Sequence, residues 1–168
     1  IINNDLANTI GNLLNRTSSM SRKWFNNTVP KIENSSNDNY LELYSTKKVK
    51  NYIKHFESYE LDLAANEILD FAIKINLYLN EKQPWILIKD KKNISNVSNI
   101  IYNVLESTRI VGLFLLPLLP DLSKNIDLQL GSIYKQEISW NDQLYWGLLK
   151  QESSLPPPSP IINKLEYE

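Results

Sequence analysis

Apolar residues recur at steps of three and four through most of the chain. Leu6, Ile10, Leu13, Leu14, Thr17, Met20 and Trp24 form one stripe, which at about 100° per residue is a single helix face. The pattern predicts a helix from about Asn4 to Asn27, ended by Pro30, and the Asn/Ser/Asp-rich stretch Glu33 to Asn39 predicts a loop. Val49, Ile53 and Phe56 then predict a short amphipathic helix, and Leu61, Ala64, Ala65, Ile68, Leu69, Ala72, Ile75 and Leu79 a longer one that closes over Asn80 to Pro84. A helix from Asn93 to Leu116 follows from Val97, Ile100, Ile101, Val104, Leu105 and the apolar run that starts at Ile110, with Ser95 or Asn93 as its cap. Pro117 and Pro120 lack a backbone donor and must break it, so a shorter helix carries Leu122, Ile126 and Leu130 and stops at Gly131. Trp140 to Leu149 predicts one last short helix, whereas Pro156, Pro157, Pro158 and Pro160 force Ser153 to Pro160 to be extended. With no period-two run and no repeat, the pattern predicts an all-α bundle of about five helices. The bundle is expected over residues 1–152 and an extended Pro-rich C-terminal tail over 153–168, packed back on it.

Composition narrows what such a bundle can do. At 168 residues, 42% hydrophobic and 22% charged, the chain has the size of one domain with a core. It has no cysteine and one histidine, His55. Disulfides, thiolate nucleophiles and Cys-rich zinc sites are therefore excluded, and any acid/base chemistry would fall to carboxylates, lysines or hydroxyls. A self-contained enzyme is the weakest reading. The net charge of -1 argues against a protein that coats nucleic acid, while leaving room for a few local base contacts. The apolar run from Ile110 to Leu119 is about half the ~20 residues that span a bilayer, and Ile1 to Asp5 has no signal-peptide pattern. Ile1 in place of Met leads us to expect a fragment of a longer protein. The 21 asparagines read as compositional bias.

Asn12 and Arg16 stand four apart and so point the same way, about 40° from each other and roughly 110° from the apolar stripe. Spacing alone favours a solvated polar face over a binding site, since Asp5, Ser19 and Lys23 share it. Trp85, directly after Pro84, falls where a turn is predicted. It is either a seal on the end of the core or an exposed aromatic platform for a base or a partner. Trp24, Trp140 and Trp146 are core by default. Lysines cluster at 47–54 and again at Lys82, Lys89, Lys91 and Lys92, a pattern that surface solvation accounts for.

In order along the chain, several blocks resemble the C-terminal anticodon-binding domain of bacterial-type methionyl-tRNA synthetase. They are Asp5-Leu6-Ala7-Asn8-Thr9-Ile10-Gly11-Asn12-Leu13-Leu14-Asn15-Arg16-Thr17, then Asn80-Glu81-Lys82-Gln83-Pro84-Trp85, then Leu116-Pro117-Leu118-Leu119-Pro120, Trp146-Gly147 and the tail from Pro158. The first two blocks are the specific ones, and Ile162 and Asn163 depart from the Phe-Pro of the family's tail. The resemblance implies an anticodon-reading site made of Asn12, Arg16, Pro84 and Trp85, acting on the CAU anticodon of methionine tRNA by stacking and hydrogen bonding. It implies no cofactor and no metal in this chain, with ATP and methionine used by the full-length ligase, and no catalytic residue here. The partners it implies are the methionine tRNA anticodon loop and the enzyme's own N-terminal catalytic domain, on which the tail could also pack, with no membrane and no DNA, in the cytoplasm. Two other readings remain: the anticodon domain of another class I synthetase, and a helical-bundle interaction module that binds no RNA.

Overall fold

The computed structural model describes residues 2–33 and 37–161, with side chains from residue 5 onward. Helices α1 (Ile2–Trp24), α2 (Tyr40–Glu57), α3 (Leu61–Lys82), α5 (Ile94–Leu115) and α6 (Pro120–Gln129) make the bundle. Single-turn helices α4 (Pro84–Leu87) and α7 (Trp140–Gln143) and a 3-10 turn (Lys91–Asn93) complete it. Among the described residues there is no strand, only an isolated bridge between Thr28 and Ser154. The all-α bundle expected from the apolar spacing is what forms.

Helix α5 is the axis. Every residue from Val97 to Leu115 is buried, and α1, α2, α3, α4, α6 and α7 all pack on it. The mixed character of its sequence is explained by partners on every side. Ser107 and Thr108 return their hydroxyls to the carbonyls of Asn103 and Val104, both at 2.8 Å, and Gly112 leaves room for the Tyr134 hydroxyl, which donates to the Arg109 carbonyl at 3.2 Å. Tyr52 and Phe114 stack at 4.3 Å between centroids, joining α2 to α5.

Several boundaries differ from the pattern. Helix α2 begins at Tyr40, because its buried stripe runs through Leu41, Ser45, Lys48 and Tyr52; two polar members hide it from an apolar count. Helix α1 stops at Trp24, before Pro30, as Asn26 and Asn27 take left-handed φ values of 56° and 62°. Neither expected cap of α5 acts as one: Asn93 makes no side-chain cap bond, Ser95 donates to Glu33 at 2.7 Å, and Asp90 instead caps the preceding turn. The last helix is one turn long, not ten residues, since the amides of Gly147, Leu148 and Leu149 donate to the Glu106 carboxylate at 2.7–3.1 Å. Glu106 also receives Arg109 in a bidentate pair at 2.6 and 2.8 Å. Arg109 donates further to the carbonyls of Gln143 and Tyr145, so a buried charge pair staples the C-terminal segment to the axis.

Beyond Ser153 the chain runs extended over the bundle. Ser159 and Gln129 exchange two hydrogen bonds at 2.6 and 2.9 Å, Asn125 donates to the Ile161 carbonyl at 2.9 Å, and Ile161 packs where Gly11 has no side chain. The divergent Ile162 and Asn163 lie outside the described residues.

Candidate nucleic-acid interface

Of the residues singled out on α1 and after α3, Arg16 and Trp85 meet at one end of α3, whereas Asn12 faces a separate groove with Pro160 and Ile161. Helix α1 buries Leu6, Ile10, Leu13, Leu14 and Thr17 and turns Asn12 and Arg16 outward, which is what their offset from the apolar stripe requires. Helix α3 ends at Lys82, and Gln83 in the left-handed region (φ 47°) closes it and starts α4. Pro84 occupies the first turn of α4, where a missing N–H costs nothing, and is buried. Its neighbour Trp85 is thereby aimed back along the α1–α3 seam.

The Arg16 guanidinium carbon lies 5.5 Å from the centroid of the Trp85 ring, and its Nη2 donates to the Asn80 side-chain oxygen at 3.2 Å. Cation–π contact and hydrogen bond together fix a group that would otherwise sweep freely in water. Asn12 stands one turn before Arg16, exposed, beside a groove of about 230 Å³ whose other wall is Pro160 and Ile161. Pro84 contributes no polar side-chain atom; it opens α4, the turn that carries Trp85.

Trp85 is half-buried and packs against the core cluster, with the Arg16 guanidinium beside its ring. One expectation needs correction. Lys48, counted among solvated lysines, is buried between α2 and α3 and pairs with Glu67 at 2.7 Å and with Asp70. Hydrogen bonds from Lys48 and Tyr44 hold the Asp70 carboxyl below its ordinary range. Asn80 is the site residue that pattern alone missed. It lies 64 positions from Arg16, and the only sign of it was its place at the head of the block that ends in Pro84-Trp85.

Chemically the arrangement offers a flat aromatic and guanidinium surface, N–H donors at its rim, and an amide one turn away that both donates and accepts. Nothing in it is a nucleophile or a general base, and no group of three or more His, Cys, Asp or Glu that could hold a metal ion occurs among the described residues. An aromatic ring with a guanidinium beside it is the kind of surface on which single-stranded RNA bases stack. Solved structures share the scaffold: apo Mycobacterium tuberculosis methionyl-tRNA synthetase superposes with a TM-score of 0.87 at 26% identity, over 99% of this chain and 34% of that one. The same enzyme bound by methionyl-adenylate gives 0.84 at 27%, over 95% and 32%. The methionine–tRNA ligase of Thermotoga maritima is 32% identical over 98% of the chain and 26% of its own length, and that of Oceanobacillus iheyensis 30% over 99% and 25%. Residues 29–168 match the family described as the anticodon binding domain of methionyl tRNA ligase. The chain belongs to that family, and it spans about a quarter of the length of the curated relatives it matches.

Proposed function

We propose that the chain reads the CAU anticodon of methionine tRNA, with Trp85 and Arg16 as the stacking surface, Arg16 and Asn12 as the hydrogen-bonding groups and Pro84 as the residue that sets Trp85. The observation that carries this is the Arg16 guanidinium held over Trp85 and tied to Asn80. Single-stranded RNA is read by unstacked bases laid on aromatic or guanidinium planes and bonded along their pairing edges. Cytosine presents O2 and N3 as acceptors and an amino group as donor. Arg16 supplies donors only and Asn12 supplies both kinds, so the pair complements that edge, whereas uracil offers an N3–H where cytosine accepts.

The chain works as the anticodon module of a methionine–tRNA ligase in the cytoplasm, whose remaining part uses ATP and methionine. That part is also its structural partner. We assign residues 1–152 to the bundle and 153–168 to the tail, of which 162–168 lie outside the described residues, and the bonds of Ser159 and Ile161 to α6 support this division. The family membership and the base-reading surface favour this over an interaction module without RNA. The test is binding of anticodon stem-loops carrying CAU or UAU to wild type and Arg16→Ala. Wild type is expected to prefer CAU and Arg16→Ala to lose that preference; equal discrimination by both proteins refutes the assignment.

A further inference from the structure

The last turn of α3 is gripped from two sides. Asn80 accepts Arg16 on one of them. Tyr78 and Lys82 each stand two positions from Asn80, about 200° round the helix, and so reach the opposite side. There they share one acceptor: Asp38 Oδ2 takes the Tyr78 hydroxyl at 3.0 Å and Lys82 Nζ at 2.7 Å. Asp38 is in turn tied to the axis of the bundle. Its backbone carbonyl accepts Asn103 Nδ2 of α5 at 3.3 Å, and the same amide donates to the Tyr78 hydroxyl at 3.4 Å. Tyr78 and Asn103 are buried, and a buried polar network whose members satisfy one another favours a single arrangement. The Tyr40 ring at the head of α2 lies parallel to that of Tyr78, 6.3 Å away between centroids, and closes the network on that side.

That end of α3 needs an outside hold. Gln83 closes the helix at φ 47°, a left-handed position where glycine is the usual residue, so local preference does not keep the reversal in place. The Gln83 N–H donates to the Leu79 carbonyl at 3.1 Å, and the Gln83 carbonyl accepts the N–H groups of Ile86 and Leu87 at 2.9 and 3.3 Å to begin α4. Asn80, Gln83 and Trp85 therefore move with the last turn of α3. We propose that Asp38 is a positioning residue for base recognition: its carboxylate holds that turn in register with α5, and with it the Asn80 acceptor and the reversal that sets Trp85 beside Arg16. Asp38 touches no base and acts only through the turn. The inference rests on the reading of the Arg16–Trp85 surface as the base site.

The test uses Tyr78→Phe, which keeps the ring and removes the hydroxyl, and Asp38→Asn, which keeps an acceptor for Tyr78 and removes the charge that Lys82 meets. Tyr44→Phe is the control: it removes a hydroxyl that donates to Asp70 at 2.7 Å between the same two helices, ten positions before Asn80. Affinities for the CAU and UAU stem-loops are measured well below the lowest Tm, together with hydrogen exchange at the Gln83, Ile86 and Leu87 amides. Tyr78→Phe and Asp38→Asn are each expected to shrink the CAU-over-UAU ratio roughly two- to thirtyfold and to speed exchange at those three amides, whereas Tyr44→Phe changes neither, whatever it costs in Tm. An unchanged ratio in Tyr78→Phe or in Asp38→Asn, or an equal loss in Tyr44→Phe, overturns the positioning role. A wild type that binds both stem-loops alike refutes the base-site reading instead, and exchange then decides the hold on the turn by itself: faster exchange in the two variants upholds it and unchanged exchange overturns it.

Discussion

Removing the Trp85 indole should cost both stability and recognition, and the two costs separate cleanly. The ring is half-buried against the core and carries the Arg16 cation–π contact. Truncating a buried Trp costs about 3–5 kcal/mol, so a half-buried one should cost about 2, and the lost cation–π contact adds about 0.5–1 kcal/mol. For a domain of this length each kcal/mol moves Tm by about 2–4 °C, so Trp85→Ala should melt roughly 5–10 °C lower. A stacked base is worth a further ~1–3 kcal/mol of binding, about five- to 150-fold in affinity. Binding of the CAU stem-loop is therefore measured well below the lowered Tm, by titration at fixed salt. Trp85→Phe, which keeps a stacking ring and most of the packing, should recover the larger part of both. If Trp85→Ala melts early yet binds the stem-loop within twofold of wild type, the indole only seals the bundle and the stacking argument fails.

Three further outcomes follow from the same contacts. Asn80→Asp replaces a neutral acceptor of Arg16 by a carboxylate that pins and neutralises the guanidinium; RNA binding should weaken several-fold while stability changes by less than about 1 kcal/mol, and unchanged binding in a titration would dismiss this role. Glu106→Ala strands a buried Arg109 and three backbone amides and should cost about 3–5 kcal/mol in denaturant unfolding, with hydrogen exchange accelerated most at residues 144–149. At acid pH, Asp38 and Asp70 should lose stabilising pairs. Burial opposes the Asp38 charge, but Lys82, Tyr78 and the Tyr40 N–H outweigh it, so both carboxyls titrate below 3.8 in the folded chain. Their contribution is thus complete above the unfolded value and lost as pH falls through the folded one, and Asp38→Asn should flatten the Tm-against-pH curve below about pH 4.

The bundle was legible in the sequence where burial was one-sided. Helix α1 has an apolar stripe and a polar face, so its register and the outward direction of Asn12 and Arg16 follow from spacing alone. The start of helix α2 is hidden from apolar spacing because Ser45 and Lys48 are buried within its stripe, the lysine tolerated because Glu67 and Asp70 reach it from α3. Leu144, Leu148 and Leu149 mimic helical spacing in the stapled segment after α7, whereas its amides go to Glu106, about forty residues earlier. Periodicity left Trp85 undecided between seal and platform, and its half-buried position has a share in each. What no local pattern could supply was the convergence of Arg16, Asn80 and Trp85, since it depends on how α1 lies against α3.

That convergence is the central claim, and a double-mutant cycle tests it most directly. Affinities of wild type, Arg16→Ala, Trp85→Ala and the double variant for the CAU and UAU stem-loops give the coupling between the two side chains. If they form one reading surface, the losses for CAU fall short of additivity by about 1 kcal/mol or more, and the double variant binds both RNAs alike. Additive losses, with the preference for CAU surviving in the double variant, would contradict it.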